Sequence, residues 1–499
     1  MQKFWFLIFF SVILIYNFFV MNLKRTFLIL CAAAVLFDTA KAQTLKFDAD
    51  NFTQKQLTMP DGFVVKYKAY ENIFYVSNVE DSVYQTLNVY VPENLKQDSP
   101  IFLRTYIGGY LASKAKQPSA NDASGRALEE GYVVCIPGSR GSNSFVHKEI
   151  YVSKKGKKKK RVLSDEFQTV YTGKFPAGLL DLKAAVRYLK ANDALIAGNS
   201  NKIITDGTSA GGAMSALLAS TGNHPDYEEL LDKMGAEKAA DDVWAAVCFC
   251  PITDLEHADM AYEWLYGFCN KNIRELDSCH DVLSEKLSNL YPEYLNSLNL
   301  KNPETGEQLT AENYLNCLKS WLLKSVSKAF DEGQEISDTA GVTFYDESKE
   351  SRCIVDFNLE KYLEYVAKSQ RLKNPPAFDS QNFCSNPPSA ENKAFGLSDG
   401  TTLNFTEFAV GHILTDDLVK RVKMMNPMNY ISDNQAVKAK NWYIRHGAKD
   451  RDTGFQISLN LALKLLGEGF SVNYFLPWEI SHTGDYNLNE LFDWLETLE

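Results

Sequence analysis

The chain has 499 residues, of which 45% are hydrophobic and 23% charged, with a formal net charge of −11 at neutral pH. That length and composition supply a sizeable buried core and exclude disorder as the default state, and the acidic balance excludes the electrostatic footprint of a nucleic-acid-binding protein. Length alone favours about three domains, but α/β chains with insertions break that rule, so one large core with an inserted region is expected.

Residues 1–20 are almost wholly apolar and, taken alone, are long enough to span a membrane. A second start competes with that reading: after Met21 come Lys24 and Arg25, an apolar stretch from Phe27 to Phe37, and Ala40-Lys41-Ala42, the layout of a secretory signal with a small-x-small cleavage site. We expect residues 1–42 to be a targeting segment starting at Met21 and cleaved after Ala42. The mature chain is then exported, periplasmic or secreted, without a stable membrane span. Its removal takes away Lys3, Lys24, Arg25 and Lys41 against Asp38, a net +3, which leaves −14. The basic run Lys154 to Arg161 reads as a solvated loop rather than a polyanion patch.

The first strands are expected at Gly62–Tyr67 and Ile73–Val76, as a hairpin, and at Thr86–Pro92, where apolar and polar residues alternate. Three apolar runs, Ile101–Tyr106, Tyr132–Ile136 and Lys202–Asp206, suit buried strands of a parallel sheet. Between the last two, Leu179, Leu182, Ala185, Val186 and Leu189 keep the 3–4 spacing of an amphipathic helix over Gly178–Asn192. Strands alternating with helices mean a mostly parallel α/β sheet. Val243–Cys250 and Trp442–Arg445 continue it, separated by a long segment with helical patterns and the pairs Pro375-Pro376 and Pro387-Pro388. The core therefore divides into 43–255 and 436–499, with an inserted lid domain at 256–435. A last strand at Val472–Leu476 and a closing helix at Asn489–Leu498 complete the chain.

Eight cysteines follow the targeting segment, and none form the paired CxxC units of a zinc site. Cys248 and Cys250 alternate within an apolar run and read as buried free thiols; those from Cys269 to Cys384 are available for disulfides after export, with the connectivity open.

Gly207-Thr208-Ser209-Ala210-Gly211 follows the strand Lys202–Asp206 and precedes the small-residue helix Ala213–Ser220. That is the context of a nucleophile elbow, in which a tight turn lifts a serine hydroxyl above the sheet. The Ala210 amide then faces a developing oxyanion, and Gly109, after the strand ending at Tyr106, is the candidate second donor. A serine needs a histidine base and a carboxylate to orient it, and the α/β-hydrolase order is Ser, then Asp or Glu, then His. His482 alone lies in the loop between the last strand and the last helix, and is the candidate base. The acid belongs in the loop after Trp442–Arg445, where both Asp450 and Asp452 are available. His446 lies too close to them to be the base and reads as structural. Ile252, beside the elbow, is a candidate apolar wall of the site.

Four stretches, Gly207 to Ser215, Asn223 to Glu228, Cys250 to Trp264 and Arg445 to Thr453, resemble bacterial tannases, and the similarity runs over most of the mature chain. The resemblance implies an α/β-hydrolase with a large inserted lid that hydrolyses galloyl esters to gallic acid through Ser209, His482 and Asp450. It implies that Asp452, Lys373 and Glu391 hold the galloyl ring, that small-molecule galloyl esters and polyphenols are the partners, and that no metal or organic cofactor is needed. Three adjacent phenolic hydroxyls would donate to the two carboxylates and accept from the lysine. The segment between Lys373 and Glu391 is longer than that pattern, with Cys384 and Pro387-Pro388 inside it. Competing readings are a feruloyl or general carboxylesterase with the same triad, a serine peptidase, and a catalytically silent polyphenol-binding protein.

Overall fold

The computed structural model describes residues 45–149, 167–346 and 352–498. The targeting segment and the basic run Lys154–Arg161 lie outside the described residues.

A nine-stranded sheet organises the chain. Its first part is antiparallel: β1 (Thr53–Thr58), β2 (Val64–Phe74), β3 (Thr86–Pro92) and β5 (Val133–Pro137). From β5 onward every neighbour is parallel, through β4 (Pro100–Arg104), β8 (Asn199–Thr208), β9 (Ala245–Phe249), β12 (Asn441–Arg445) and β13 (Ser471–Phe475). The spatial order is β1-β2-β3-β5-β4-β8-β9-β12-β13. The parallel strands are the apolar runs of the sequence, and β5 and β9 are buried at every position, as strands covered on both faces must be. Against one face Phe102, Val134, Ile204, Val247 and Tyr443 pack with Ala127 and Leu128 of α1 (Ala123–Glu129) and with the C-terminal helix residues Leu491, Phe492 and Leu495. Each such large apolar side chain contributes about 1.5–3 kcal/mol on burial. Helices α2 (Ala177–Ala191) and α3 (Ala210–Ser220) pack against β8.

The hairpin expected from Gly62–Tyr67 and Ile73–Val76 is a correction: one strand, β2, runs unbroken from Val64 in the first run to Phe74 in the second, and its hairpin partner is β1. The intervening residues hold no two-residue turn signal; Asn72, at φ +61, instead sits where the β2–β3 register shifts between Tyr70 and Ile73. A positive φ at an asparagine produces a bulge there rather than a reversal. A separate hairpin, β6 (Phe145–Glu149) with β7 (Phe167–Tyr171), flanks the basic run and had no clear alternation to reveal it.

Between β9 and β12 the described residues add no strand to the large sheet. It builds α4 (Leu255–Tyr266), α5 (Ser278–Ser297), α6 (Tyr314–Asp331), the small hairpin β10–β11 (Val342–Asp346, Arg352–Phe357) and α7 (Leu359–Ser369), and later the short α8 (Ala390–Ala394). Helix α5 buries Leu283, Leu287, Tyr291 and Leu295 at every fourth position, one stripe toward its neighbours, and starts where the Asp277 carboxylate accepts the Cys279 and His280 N–H groups. Cys279 and Cys384 form a disulfide, which ties the start of α5 to the segment between Lys373 and Glu391. Cys248, Cys250, Cys269 and Cys317 are buried free thiols.

Candidate active site

The site lies at the carboxyl ends of the parallel strands, where open α/β sheets place their ligands. Strand β8 ends at Thr208, and Ser209 takes φ +62 and ψ −123, a conformation that costs a non-glycine residue strain and persists only when its surroundings enforce it. The Ser209 N–H donates to the Phe249 carbonyl (2.9 Å), and the Ser209 carbonyl accepts the Ala213 N–H (2.9 Å). The glycines of the motif are forced by close approach: a Cβ on Gly207 would overlap the Gly211 carbonyl, and one on Gly211 would meet the Ile107 carbonyl. The strained serine is thus held between β9 and α3.

His482 lies beyond β13 and Asp450 beyond β12, and both reach back to the elbow. The Ser209 Oγ is 2.8 Å from His482 Nε2, and His482 Nδ1 is 2.7 Å from Asp450 Oδ2. Asp450 cannot donate once ionised, so it fixes the proton on Nδ1 and leaves Nε2 to accept from the serine. The Asp452 N–H donates to the other Asp450 oxygen (2.7 Å). Asp450 is fully buried, while Ser209 and His482 are half-buried. Burial would raise the Asp450 carboxyl, but the neighbouring imidazoles of His446 and His482 and the Asp452 N–H outweigh it and hold it below the usual carboxylate range. Burial would lower the His482 imidazolium, yet its hydrogen bonds to Asp450 and Cys250 raise it well above its ordinary value.

Ala210 opens α3, so its N–H has no acceptor within the helix and is free for an anion. Gly109 sits in the exposed loop after β4 at φ +54, with open space on its Cβ side. Ile252 is buried against the elbow: its N–H approaches the Ser209 carbonyl (3.4 Å) and its carbonyl accepts from the Tyr110 hydroxyl (2.6 Å).

Asp452 is partly exposed and lies between two partners, its Oδ2 3.9 Å from His482 Nδ1 and its Oδ1 3.6 Å from Lys373 Nζ. Lys373 Nζ donates to the Asp452 carbonyl (2.7 Å) and stands over the Phe378 ring. Helix α4 sets this arrangement: the Tyr262 hydroxyl donates to the Arg451 carbonyl (2.9 Å) and accepts the Lys373 N–H (3.1 Å). The Asp259 carboxylate accepts the N–H groups of Ala377, Phe378 and Asp379. Glu391, on α8, is buried and its carboxyl is raised by that burial, with Lys373 acting in the opposite direction. Among the described residues no ion pair joins Glu391 to Lys373, so the structure brings Lys373 and Asp452 together more closely than either with Glu391.

Three contributors had no reading as site residues. Cys250, just past β9 at φ +36, donates to the Thr483 carbonyl (3.3 Å) and packs beside His482. Arg104, at the end of β4, pairs with both Asp206 and Asp485, and Asp485 also accepts the Ala123 N–H (3.1 Å), which anchors the loop of His482 from below. The available signal was an arginine inside the apolar run Ile101–Tyr106, a charge that needs a partner when buried. His446 is fully buried behind Asp450, its Nε2 3.7 Å from Asp450 Oδ2, and burial lowers its pKa.

Metal-ligand types converge in three places among the described residues: Cys250–Asp450–His482, Asp277–Cys279–Cys384 and Asp254–Glu256–His257. The first is the hydrogen-bonded relay, the second contains the disulfide, and in the third His257 and Asn426 already occupy the carboxylates. A cavity of about 880 Å³ within the inserted segment, lined by Met260, Leu287, Leu290 and Phe408, includes none of the relay residues. No described helix is long and apolar enough to cross a membrane.

The BD-FAE family matches residues 146–289. The esterase LipC of Mycobacterium tuberculosis is 35% identical over 81 residues, 16% of this chain and 20% of that protein, so the match spans only a fifth of that curated relative. Solved structures match far more of the chain. A tannase of Fusobacterium nucleatum is 35% identical with a TM-score of 0.78, covering 91% of this chain and 98% of its own. The tannin acyl hydrolase of Lactobacillus plantarum is 33% identical with the same TM-score and the same coverages. A tannin acyl hydrolase in complex with ethyl gallate is 34% identical at a TM-score of 0.77, with 91% and 98% covered. Fold and site together define a serine carboxylic-ester hydrolase built on an α/β-hydrolase core. At this identity over nearly the whole length of those enzymes, the chain belongs to the bacterial tannase family.

Proposed function

We propose that the chain hydrolyses galloyl esters, both simple gallates and hydrolysable tannins, releasing gallic acid through an acyl-enzyme on Ser209. The observation that carries this reading is the continuity of one hydrogen-bonded line from Ser209 through His482 to Asp450, with Asp452 and Lys373 at its open end. In this reading Ser209 Oγ attacks the ester carbonyl as its proton passes to His482 Nε2, and Asp450 stabilises the imidazolium. The carbonyl oxygen becomes an anion facing the Ala210 and Gly109 N–H groups. Collapse breaks the ester C–O bond, and the alcohol leaves with the proton from His482. Water then attacks the galloyl-serine, gives its proton to His482, and the second collapse returns that proton to Ser209 as gallic acid departs.

Lys373, Asp452 and Glu391 bind the ring hydroxyls, with Ile252 as the apolar wall, and the segment 256–435 acts as the lid that supplies them. Support comes from the solved relatives, one of them held with ethyl gallate and another with 3,4-dihydroxybenzoate. The test compares methyl gallate with methyl benzoate. A site built for hydroxyls rejects a ring that lacks them by roughly 10⁴-fold in kcat/KM, since its buried polar groups are left unpaired. Equal rates on the two esters, or no loss of that discrimination in Asp452→Ala, contradict the assignment. The BD-FAE match favours one second reading, a carboxylesterase of broader range with the same relay, which equal rates would support.

We also propose export, with residues 1–42 removed. The Cys279–Cys384 disulfide supports it, because such bonds persist in oxidising compartments.

A further inference from the structure

The hairpin β6–β7 leaves its root at the rim of the site. Ser142, just before β6, donates its N–H to the Tyr110 carbonyl (3.0 Å), one residue past Gly109. On the other side, the Tyr171 N–H donates to the Ser398 carbonyl (2.7 Å), and the Phe175 N–H donates to the Ala394 carbonyl (2.9 Å) at the end of the helix that carries Glu391. The hairpin is therefore pinned between the Gly109 loop and the segment that holds Glu391.

Its two faces differ. Alternation puts Val146 and Lys148 on one face, which turns toward Glu80 through the Lys148–Glu80 pair (3.7 Å). The opposite face carries Tyr171, Phe145, His147 and Phe167, whose rings form a line with centroid separations of 6.0 Å (Tyr171–Phe145), 5.3 Å (Phe145–His147) and 6.2 Å (His147–Phe167). Phe145 and Phe167 are 48% and 58% exposed, at the two ends of this face with His147 between them. Leu111, two residues past Gly109, and Leu397, beside Ser398, are exposed as well. Among the described residues, exposed apolar side chains thus begin two residues from the candidate oxyanion donor and continue as a strip on the aromatic face of the hairpin.

We propose that this strip is a distal subsite for a further aromatic ring of a polyaromatic ester, so that the enzyme favours multiply galloylated substrates over simple alkyl gallates. The proposal rests on the galloyl reading above, and it follows from continuity. The proposal places the acyl ring at Lys373 and Asp452 and the alcohol portion past the Gly109 loop, and in a multiply galloylated alcohol that portion bears more rings. Flat phenolic rings stack on Phe145 and Phe167, while their hydroxyls stay in water, which an exposed strip permits and a closed pocket would not.

The test is kcat and KM for methyl gallate and for pentagalloyl glucose, measured on the wild-type enzyme and on the double variant Phe145→Ser with Phe167→Ser. Both side chains are exposed, so folding is preserved; a single variant, Phe167→Ser, serves as the second probe. The subsite predicts a rise in KM for pentagalloyl glucose of about tenfold, the scale expected when two aromatic stacking partners are removed, with methyl gallate changed less than twofold. Unchanged KM for pentagalloyl glucose, or an equal change for both esters, overturns the subsite while leaving galloyl hydrolysis intact. A wild-type enzyme that cleaves neither ester overturns the galloyl reading and with it the occupant assigned to the strip.

Discussion

At the scale of residues, the relay is a problem of proton placement. His482 accepts a proton from Ser209 only when neutral, and Asp450 and Cys250 raise its pKa against the opposing effect of burial, so the active form accumulates as pH rises through that raised value. Replacing Asp450 with Asn removes the charge and with it that upward contribution. The acid limb of kcat/KM should then move to lower pH while kcat falls by roughly 10⁴-fold, because the imidazole loses its tautomer and its stabilised charge. A pH–rate profile of Asp450→Asn checks this, and a limb that stays in place argues that His482 is not the group titrating. Ser209 and His482 were legible in the sequence because their contexts, strand-turn-helix for one and the loop after the last strand for the other, are set by local chain order. Asp450 and Asp452 were not separable by such means: two residues apart, they differ in burial, fully buried against partly exposed, and burial is a tertiary property.

Among the elements, α4 and the disulfide do the positioning. Tyr262 and Asp259 hold the Asp450–Asp452 loop and the 373–379 segment to one helix, and Cys279–Cys384 fastens the chain that continues toward Glu391. The pair Cys279→Ser and Cys384→Ser should therefore raise KM for methyl gallate several-fold and leave kcat nearly unchanged, with a stability loss of about 2–4 kcal/mol in denaturant titration. A fall in kcat at constant KM would place the effect on the relay instead. The parallel strands were readable from their apolar runs, and the amphipathic helix Gly178–Asn192 falls within two residues of Ala177–Ala191. The β2 bulge and the β6–β7 hairpin were not readable, since one depends on a single asparagine at positive φ and the other on partially exposed residues without alternation. The disulfide partner of Cys384 was equally hidden, because 105 residues separate the two cysteines and only the packing of the insertion brings them together.

For the whole molecule, the sheet, the elbow and the inserted segment serve one arrangement. The sheet delivers Ser209, His482 and Asp450 from three strand ends, and the insertion brings Lys373 to Asp452 at the same opening. Export belongs to this scale: protein recovered outside the cytoplasm should begin at Gln43 with Cys279 and Cys384 oxidised, as read by intact-mass spectrometry, whereas cytoplasmic protein retaining residues 1–42 would contradict it. The central claim, serine-dependent galloyl ester hydrolysis, is met most directly by measuring gallate release from methyl gallate by residues 43–499, beside Ser209→Ala and with methyl ferulate as the competing ester. The account predicts rapid release confined to the gallate ester and a loss of roughly 10⁵-fold or more in Ser209→Ala. Release that survives the loss of the Ser209 hydroxyl, or hydrolysis of ferulate alone, would contradict it.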